Sequence, residues 1–291
     1  MSVYKHRYRA YTGKLTPAWT RIFVLARYGY AEAWSSRITV GMFTLFTLPS
    51  LVFLFAIYFA NNPLAVRLLQ LRNPNLLAIN GGFFLNVLVV QSIPALILAS
   101  WIAPRLITFD LADDALPILL SHPISRFGYV FGKWIALFAS LSLVTWIPAL
   151  LLFAYQGYSS PQPWALSHLP IAGGMVAGAV IWIAFLSLLG LALSSWVKWR
   201  VVATGVIFAA ILVPAGVGGI VSAVLRTKWG LLLNFPFMIS VLWQRLLGVP
   251  DPFHAKAYLP TAAITAMFAL ACLLFVAMLF ARIRAREVVR G

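Results

Sequence analysis

Residues 134–197 read WIALFASLSLVTWIPALLLFAYQGYSSPQPWALSHLPIAGGMVAGAVIWIAFLSLLGLALSSWV, without a single Asp, Glu, Lys or Arg. A charge at the centre of a bilayer costs roughly 2.5–3.5 kcal/mol even on the mildest scale, so a gap this long is what membrane-spanning helices require. The gap holds two of them. Tyr155-Gln156-Gly157-Tyr158-Ser159-Ser160-Pro161-Gln162-Pro163 divides it, because clustered Gly, Ser and Pro make a turn.

Working outward, four more charge-free gaps separate Arg37 from Arg67, Arg72 from Arg105, Arg200 from Arg226 and Lys256 from Arg282. Together they predict six helices, at about 38–60, 83–103, 129–153, 169–195, 201–224 and 258–281. Composition agrees. The 291 residues are 62% hydrophobic and 10% charged, with a mean hydropathy of +0.93, whereas soluble domains run at about 45–50% apolar and about 25% charged. That excludes a soluble globular domain, a disordered chain and a coiled coil. One cysteine, Cys272, permits no internal disulfide and no cysteine-based metal site.

The net charge of +16 is a matter of placement. Sixteen of the 22 Lys and Arg fall in the N-terminal segment 1–37, the second loop with Lys133, the fourth loop and the tail 282–291; six fall in the alternate loops. The positive-inside rule therefore puts both termini in the cytoplasm, and the basic excess needs no nucleic acid to account for it. Lys5, Arg7, Arg9 and Lys14 do not begin a secretory signal, since no short apolar run with a small-residue cleavage site follows them.

Two segments read as interfacial. Thr16-Pro17 is a helix start, after which Trp19, Ile22, Phe23, Ala26, Tyr30, Ala33 and Trp34 recur at helical spacing while Arg21, Arg27, Glu32 and Ser35 take other faces. This predicts an amphipathic helix on the cytoplasmic leaflet, with Trp19, Arg21, Phe23, Arg27 and Trp34 as its contacts. Within the external segment 225–257, Gly230–Val249 is apolar but carries Pro236 and Arg245, and a seventh crossing would export the four-arginine tail. It reads as a pair of short re-entrant helices. The fold class is thus all-α integral membrane, with six transmembrane helices forming one membrane domain over residues 1–291.

Catalytic chemistry finds little support. Glu32, Asp110, Asp113, Asp114, Asp251 and Glu287 all lie outside the spans, so no buried carboxylate relay is present. His6, His122, His168 and His254 are scattered, without ligand spacing for a metal. Gly128-Tyr129-Val130-Phe131-Gly132-Lys133-Trp134 is one residue short of a phosphate loop and lacks the following Ser or Thr. No cofactor is expected on this chain. Among the polar residues within spans, Asn86 and Gln91 are the candidates for a translocation path; Ser92, Ser100, Ser140, Ser142, Thr145 and Ser187 read as interhelical hydrogen-bonders. Gly174 and Gly178 form a small-xxx-small pair for close backbone approach, and Gly216, Gly218 and Gly219, after Pro214, mark the end or bending of the fifth helix.

The second loop, 104–128, carries three of the six acids. Asp110, Ala115-Leu116, Ser121-His122-Pro123-Ile124-Ser125-Arg126 and Tyr129-Val130-Phe131-Gly132-Lys133 together resemble the cytoplasmic signature of type-2 ABC exporter permeases. Leu193-Ser194-Ser195, Asn234-Phe235-Pro236 before Leu246-Leu247-Gly248, and Arg282-Ile283-Arg284-Ala285-Arg286-Glu287-Val288-Val289 keep the same order. Two positions depart: Asp114 stands where that family has Gly, and His122 where it has Arg, which points to an altered partner fit. The resemblance implies a coupling helix that docks on a separate ATPase through Asp110, Asp113, Asp114, Ser121, His122, Pro123, Ser125 and Arg126. It implies two permease copies, a homodimer, with ATP and Mg held on the partner ATPase. An integral-membrane scaffold or assembly factor that recruits a cytoplasmic partner without transport is the alternative.

Overall fold

The computed structural model describes residues 17–62, 78–112, 125–160, 163–250 and 259–283. Among them are ten α-helices, one 3-10 helix and no strands. The helices are α1 (Ala18–Trp34), α2 (Arg37–Asn61), α3 (Gly81–Ala112), α4 (Arg126–Ser142), α5 (Trp146–Ser159), α6 (Trp164–Ser167), α7 (Leu169–Trp196), α8 (Arg200–Val224), α9 (Phe235–Leu246) and α10 (Thr261–Arg282). The 3-10 helix, Lys228–Leu233, precedes α9. Six stretches are long and apolar enough to cross a membrane: Arg37–Asn61, Gly81–Thr108, Arg126–Ser159, Leu169–Trp196, Arg200–Val224 and Thr261–Arg282. They match the six helices predicted from the five charge-free gaps. The protein is a multi-pass membrane protein.

The third span is two helices in line, α4 and α5, with a turn at residues 143–145. Pro148 accounts for it. Its ring has no N–H to donate and collides with the carbonyl four residues back, at Val144. Beside the turn, Thr145 Oγ1 donates to the Leu141 carbonyl at 2.9 Å and Ser142 Oγ to that of Phe138 at 2.8 Å, so both buried hydroxyls are satisfied within the helix.

Packing sorts the spans into two ends. At one, Lys133 meets Asp110, Arg200 stacks on Trp101 and Arg282 Nε donates to the Ser195 carbonyl. At the other, Asn61 Nδ2 donates to Gln156 Oε1 at 2.8 Å and Arg245 Nη1 to Thr261 Oγ1 at 2.7 Å. The basic loops of the sequence share the first end. Helix α7 is the most buried of the six and α2 the least, so the apolar faces of α2, α8 and α10, with Val52, Ile220 and Leu273 exposed, form much of the outer surface.

Two expectations are corrected by the helix ends. The second loop is shorter than 104–128, because α3 carries through Pro104 to Ala112 and α4 opens at Arg126; proline inside a span is tolerated where neighbours re-satisfy the freed groups. Likewise α8 runs past Pro214, Gly216, Gly218 and Gly219 to Val224. Gly218 instead admits the 3-10 helix: a Cβ there would stand 2.5 Å from the Gly230 carbonyl oxygen.

The stretch 230–249 does re-enter the bundle. Phe235 stacks on Phe185, halfway along α7, with ring centroids 4.7 Å apart. From there α9 climbs antiparallel to α7 until Leu246 reaches Gly174, and eleven residues of helix rise cover roughly 16 Å. Gly174 and Gly178 make the fit possible. A Cβ at Gly174 would lie 2.5 Å from the Leu246 carbonyl oxygen, and one at Gly178 would overlap the indole of Trp243. Trp243, Met238 and Ile239 are buried in that seat.

Candidate functional site

The site lies where α3 ends and α4 begins, on either side of the segment 113–124. Asp110 is on the last turn of α3. Lys133 is on α4, and its Nζ lies 2.9 Å from Asp110 Oδ2 and 3.6 Å from Glu32 Oε2 on α1. Tyr129, one turn before Lys133, donates its hydroxyl hydrogen to Asp110 Oδ2 at 2.7 Å. Lys133 is 4% exposed and Tyr129 1%, so one ammonium, one phenol and two carboxylates tie three helices together in a largely dry setting.

The sequence sets up this cluster locally. Ser125 caps α4 by accepting the Gly128 N–H on its Oγ at 3.0 Å, which fixes where the helix begins. From that start, Tyr129 and Lys133 fall one turn apart on the same side, facing α3. Gly132 turns toward α1, where a Cβ would meet the Leu25 side chain at 3.0 Å; opposite, a Cβ at Gly29 would meet the Ala136 Cβ at 3.2 Å. Trp34 Nε1 donates to Ser140 Oγ at 3.3 Å further along. The pairs 25–132, 29–136 and 34–140 run in the same direction, so the second half of α1 lies parallel to α4.

That arrangement divides the face expected of α1. Ala26 and Ala33 are buried and Trp34 turns inward onto Phe43, at a centroid distance of 4.9 Å. Trp19 and Phe23 point outward, exposed, with Tyr28, while Arg27 is exposed and Arg21 half-buried. The reason is size: only Ala and Gly admit the close approach of α4, so the large aromatics are left to the outside. Burial pushes the Tyr30 phenol above its ordinary value, which keeps it neutral.

Of the docking residues expected from sequence, Asp110 is turned inward and held, Ser125 acts as a helix cap and Arg126 is exposed. Asp113, Asp114, Ser121, His122 and Pro123 lie outside the described residues. Glu32, Tyr129 and Lys133 were not singled out as site residues by sequence. The available signal was Lys133 itself, a lone cation two turns into an apolar helix, which requires an anionic partner. Of the path candidates, Gln91 is buried and donates from Nε2 to Ser50 Oγ at 3.0 Å, joining α3 to α2. Asn86 is exposed on the outer face of α3 beside Val89 and Val90.

Among the described residues no group of three or more His, Cys, Asp or Glu converges to hold a metal. The cluster ties α1, α3 and α4 together through Glu32, Asp110, Tyr129 and Lys133. No protein-family model matches the chain, and none of the curated proteins is significantly similar to it.

Proposed function

We propose that this chain is the membrane-spanning permease subunit of an ATP-driven transporter, an exporter, in a bacterial or archaeal cytoplasmic membrane. Both termini face the cytoplasm by the charge rule. Two copies form the translocation path, and a separate ATPase subunit docks on the segment 113–124 that carries Asp113, Asp114, Ser121, His122 and Pro123. The chain itself is not an enzyme; ATP and Mg belong to the partner.

The observation that carries this reading is the Glu32–Lys133–Asp110–Tyr129 cluster at the root of that segment. A docking loop can drive a membrane bundle only if its ends are fastened to helices that must move with it, because any conformational bias has to come from contacts that differ between two states. Here both ends are fastened, and to a third helix as well. Every residue of the Tyr129–Lys133 signature that resembles the exporter permeases, apart from Val130 and Phe131, takes part in that fastening or in the approach of α1.

The test is copurification of the tagged full chain from its native membrane, followed by transport in vesicles. An ABC-type ATPase recovered with the chain in an equal ratio, and ATP-dependent movement of cargo, support the reading. Recovery of a cytoplasmic partner with no ATPase activity would move it to a scaffold.

A further inference from the structure

Arg105 on α3 and Arg200 at the first residue of α8 present a second feature that the proposed function does not use. Arg200 lies over the ring of Trp101, one turn before Arg105, with its guanidinium carbon 4.5 Å from the centroid. Thr204 Oγ1, one turn after Arg200, donates to the Ser100 carbonyl at 3.0 Å, so the start of α8 crosses α3 within two turns of Arg105. Neither forms an ion pair with an acid: the described ion pairs are those of Lys133. Arg105 Nε and Arg200 Nη2 are each buried without a hydrogen-bond partner. Helix α8 also begins there without a side-chain cap, so no side chain accepts from its first N–H groups. Two neighbouring guanidiniums with unmet donors suit an anionic ligand.

The depth and surroundings of the pair say which anion. Arg105 is 24 residues from Gly81 on one continuous helix, about 36 Å of rise, just beyond a hydrocarbon layer about 30 Å thick. Beside Arg200, Trp196 is 53% exposed, Trp199 75% and Val201 84%. Exposed indoles bordering an exposed aliphatic residue mark the membrane–water boundary, where headgroups lie. We propose that Arg105 and Arg200 bind the phosphate of an anionic phospholipid headgroup in the leaflet at the basic end, with its acyl chains passing along Val201 and the α8 surface. Arginine suits the task because its planar fork matches phosphate oxygens two at a time, and basic pockets between spanning helices are known binders of acidic headgroups. This inference depends on the fold alone and stands apart from the transport reading.

Native mass spectrometry of the purified full chain, offered equal phosphatidylglycerol and phosphatidylcholine, tests it. The wild type should retain phosphatidylglycerol preferentially, a comparison that needs no variant; equal retention overturns the proposal. In the Arg105→Gln, Arg200→Gln double variant retention should fall roughly 30-fold, about fivefold per arginine, while Arg226→Gln, exposed beyond the far end of α8, leaves it unchanged. If the double variant does not fold, Arg105→Lys with Arg200→Lys replaces it: the charge stays but the paired donors go, and retention should fall by a smaller factor. Unchanged retention in either pair overturns the site. Inorganic phosphate that protects the pair as well as the lipid does would assign it to a free anion. A pair whose loss releases a bound protein and not the lipid would assign it to an acidic partner. Both outcomes defeat the headgroup assignment.

Discussion

Lys133 Nζ is 2.9 Å from Asp110 Oδ2, and this contact joins the helix that enters the segment 113–124 to the helix that leaves it. Glu32, on the N-terminal helix, reaches the same ammonium at 3.6 Å. The two acids are not equivalent. Asp110 has a 19% exposed side chain and a second bond from Tyr129, whereas Glu32 is 38% exposed, where solvent screens most of the attraction.

Lys133→Met should therefore destabilise strongly. Removing one member of a buried pair leaves the other charge uncompensated, at about 3–5 kcal/mol. Glu32→Gln should cost no more than about 1 kcal/mol. Thermal unfolding in detergent measures both, and equal shifts for the two variants would contradict the ranking.

Arg126→Glu should leave that stability alone, since Arg126 is exposed ahead of the cluster. Under the transport proposal it reverses a charge in the docking segment, so ATP hydrolysis by the partner should continue while cargo movement falls. Coupling at the wild-type level would show that Arg126 takes no part in docking.

Gly178→Leu should unseat α9. A side chain there occupies the place of the Trp243 indole, and overpacking a tight contact costs typically about 1–3 kcal/mol. The expected signs are a lower unfolding temperature and proteolysis within the α9 region, where the wild type resists. Gly205→Leu, on α8 with open space around it, is the control and should do neither.

Gln91→Leu should cost little, about 0.6 kcal/mol, the average for an interhelical hydrogen bond in a membrane protein. A double-mutant cycle with Ser50→Ala should recover the coupling, because the two side chains bond each other across α2 and α3. Zero coupling would mean that Gln91 works through something other than this bond.

Sidedness has a direct check in a Cys272→Ser background. Tyr158→Cys, 89% exposed at the end away from the basic loops, should react with an impermeant thiol reagent on intact cells. Trp199→Cys, 75% exposed beside Arg200, should react only after the membrane is opened. The reverse pattern would invert the orientation.

Much of the fold was legible in order, since charge placement along the chain fixes where a helix can cross. The gap after Lys133 showed two spans, and Pro236 with Arg245 showed a segment that turns back; the structure has both. The break at 143–145 was less legible. A proline in a span bends some helices and not others: Pro148 interrupts one, while Pro94, Pro104 and Pro214 pass through unbroken helices.

Sequence by itself determined the six crossings, because they follow from the cost of placing charge in hydrocarbon, a property each residue carries alone. Which polar groups meet was decided only by tertiary structure. Glu32 and Lys133 are brought together by an approach that Gly29 and Gly132 permit, and Arg200 is brought onto Trp101, one turn before Arg105, by the crossing of α3 and α8. A pairing is a property of two surfaces at once, fixed by which small residues let backbones close and which large ones hold them apart.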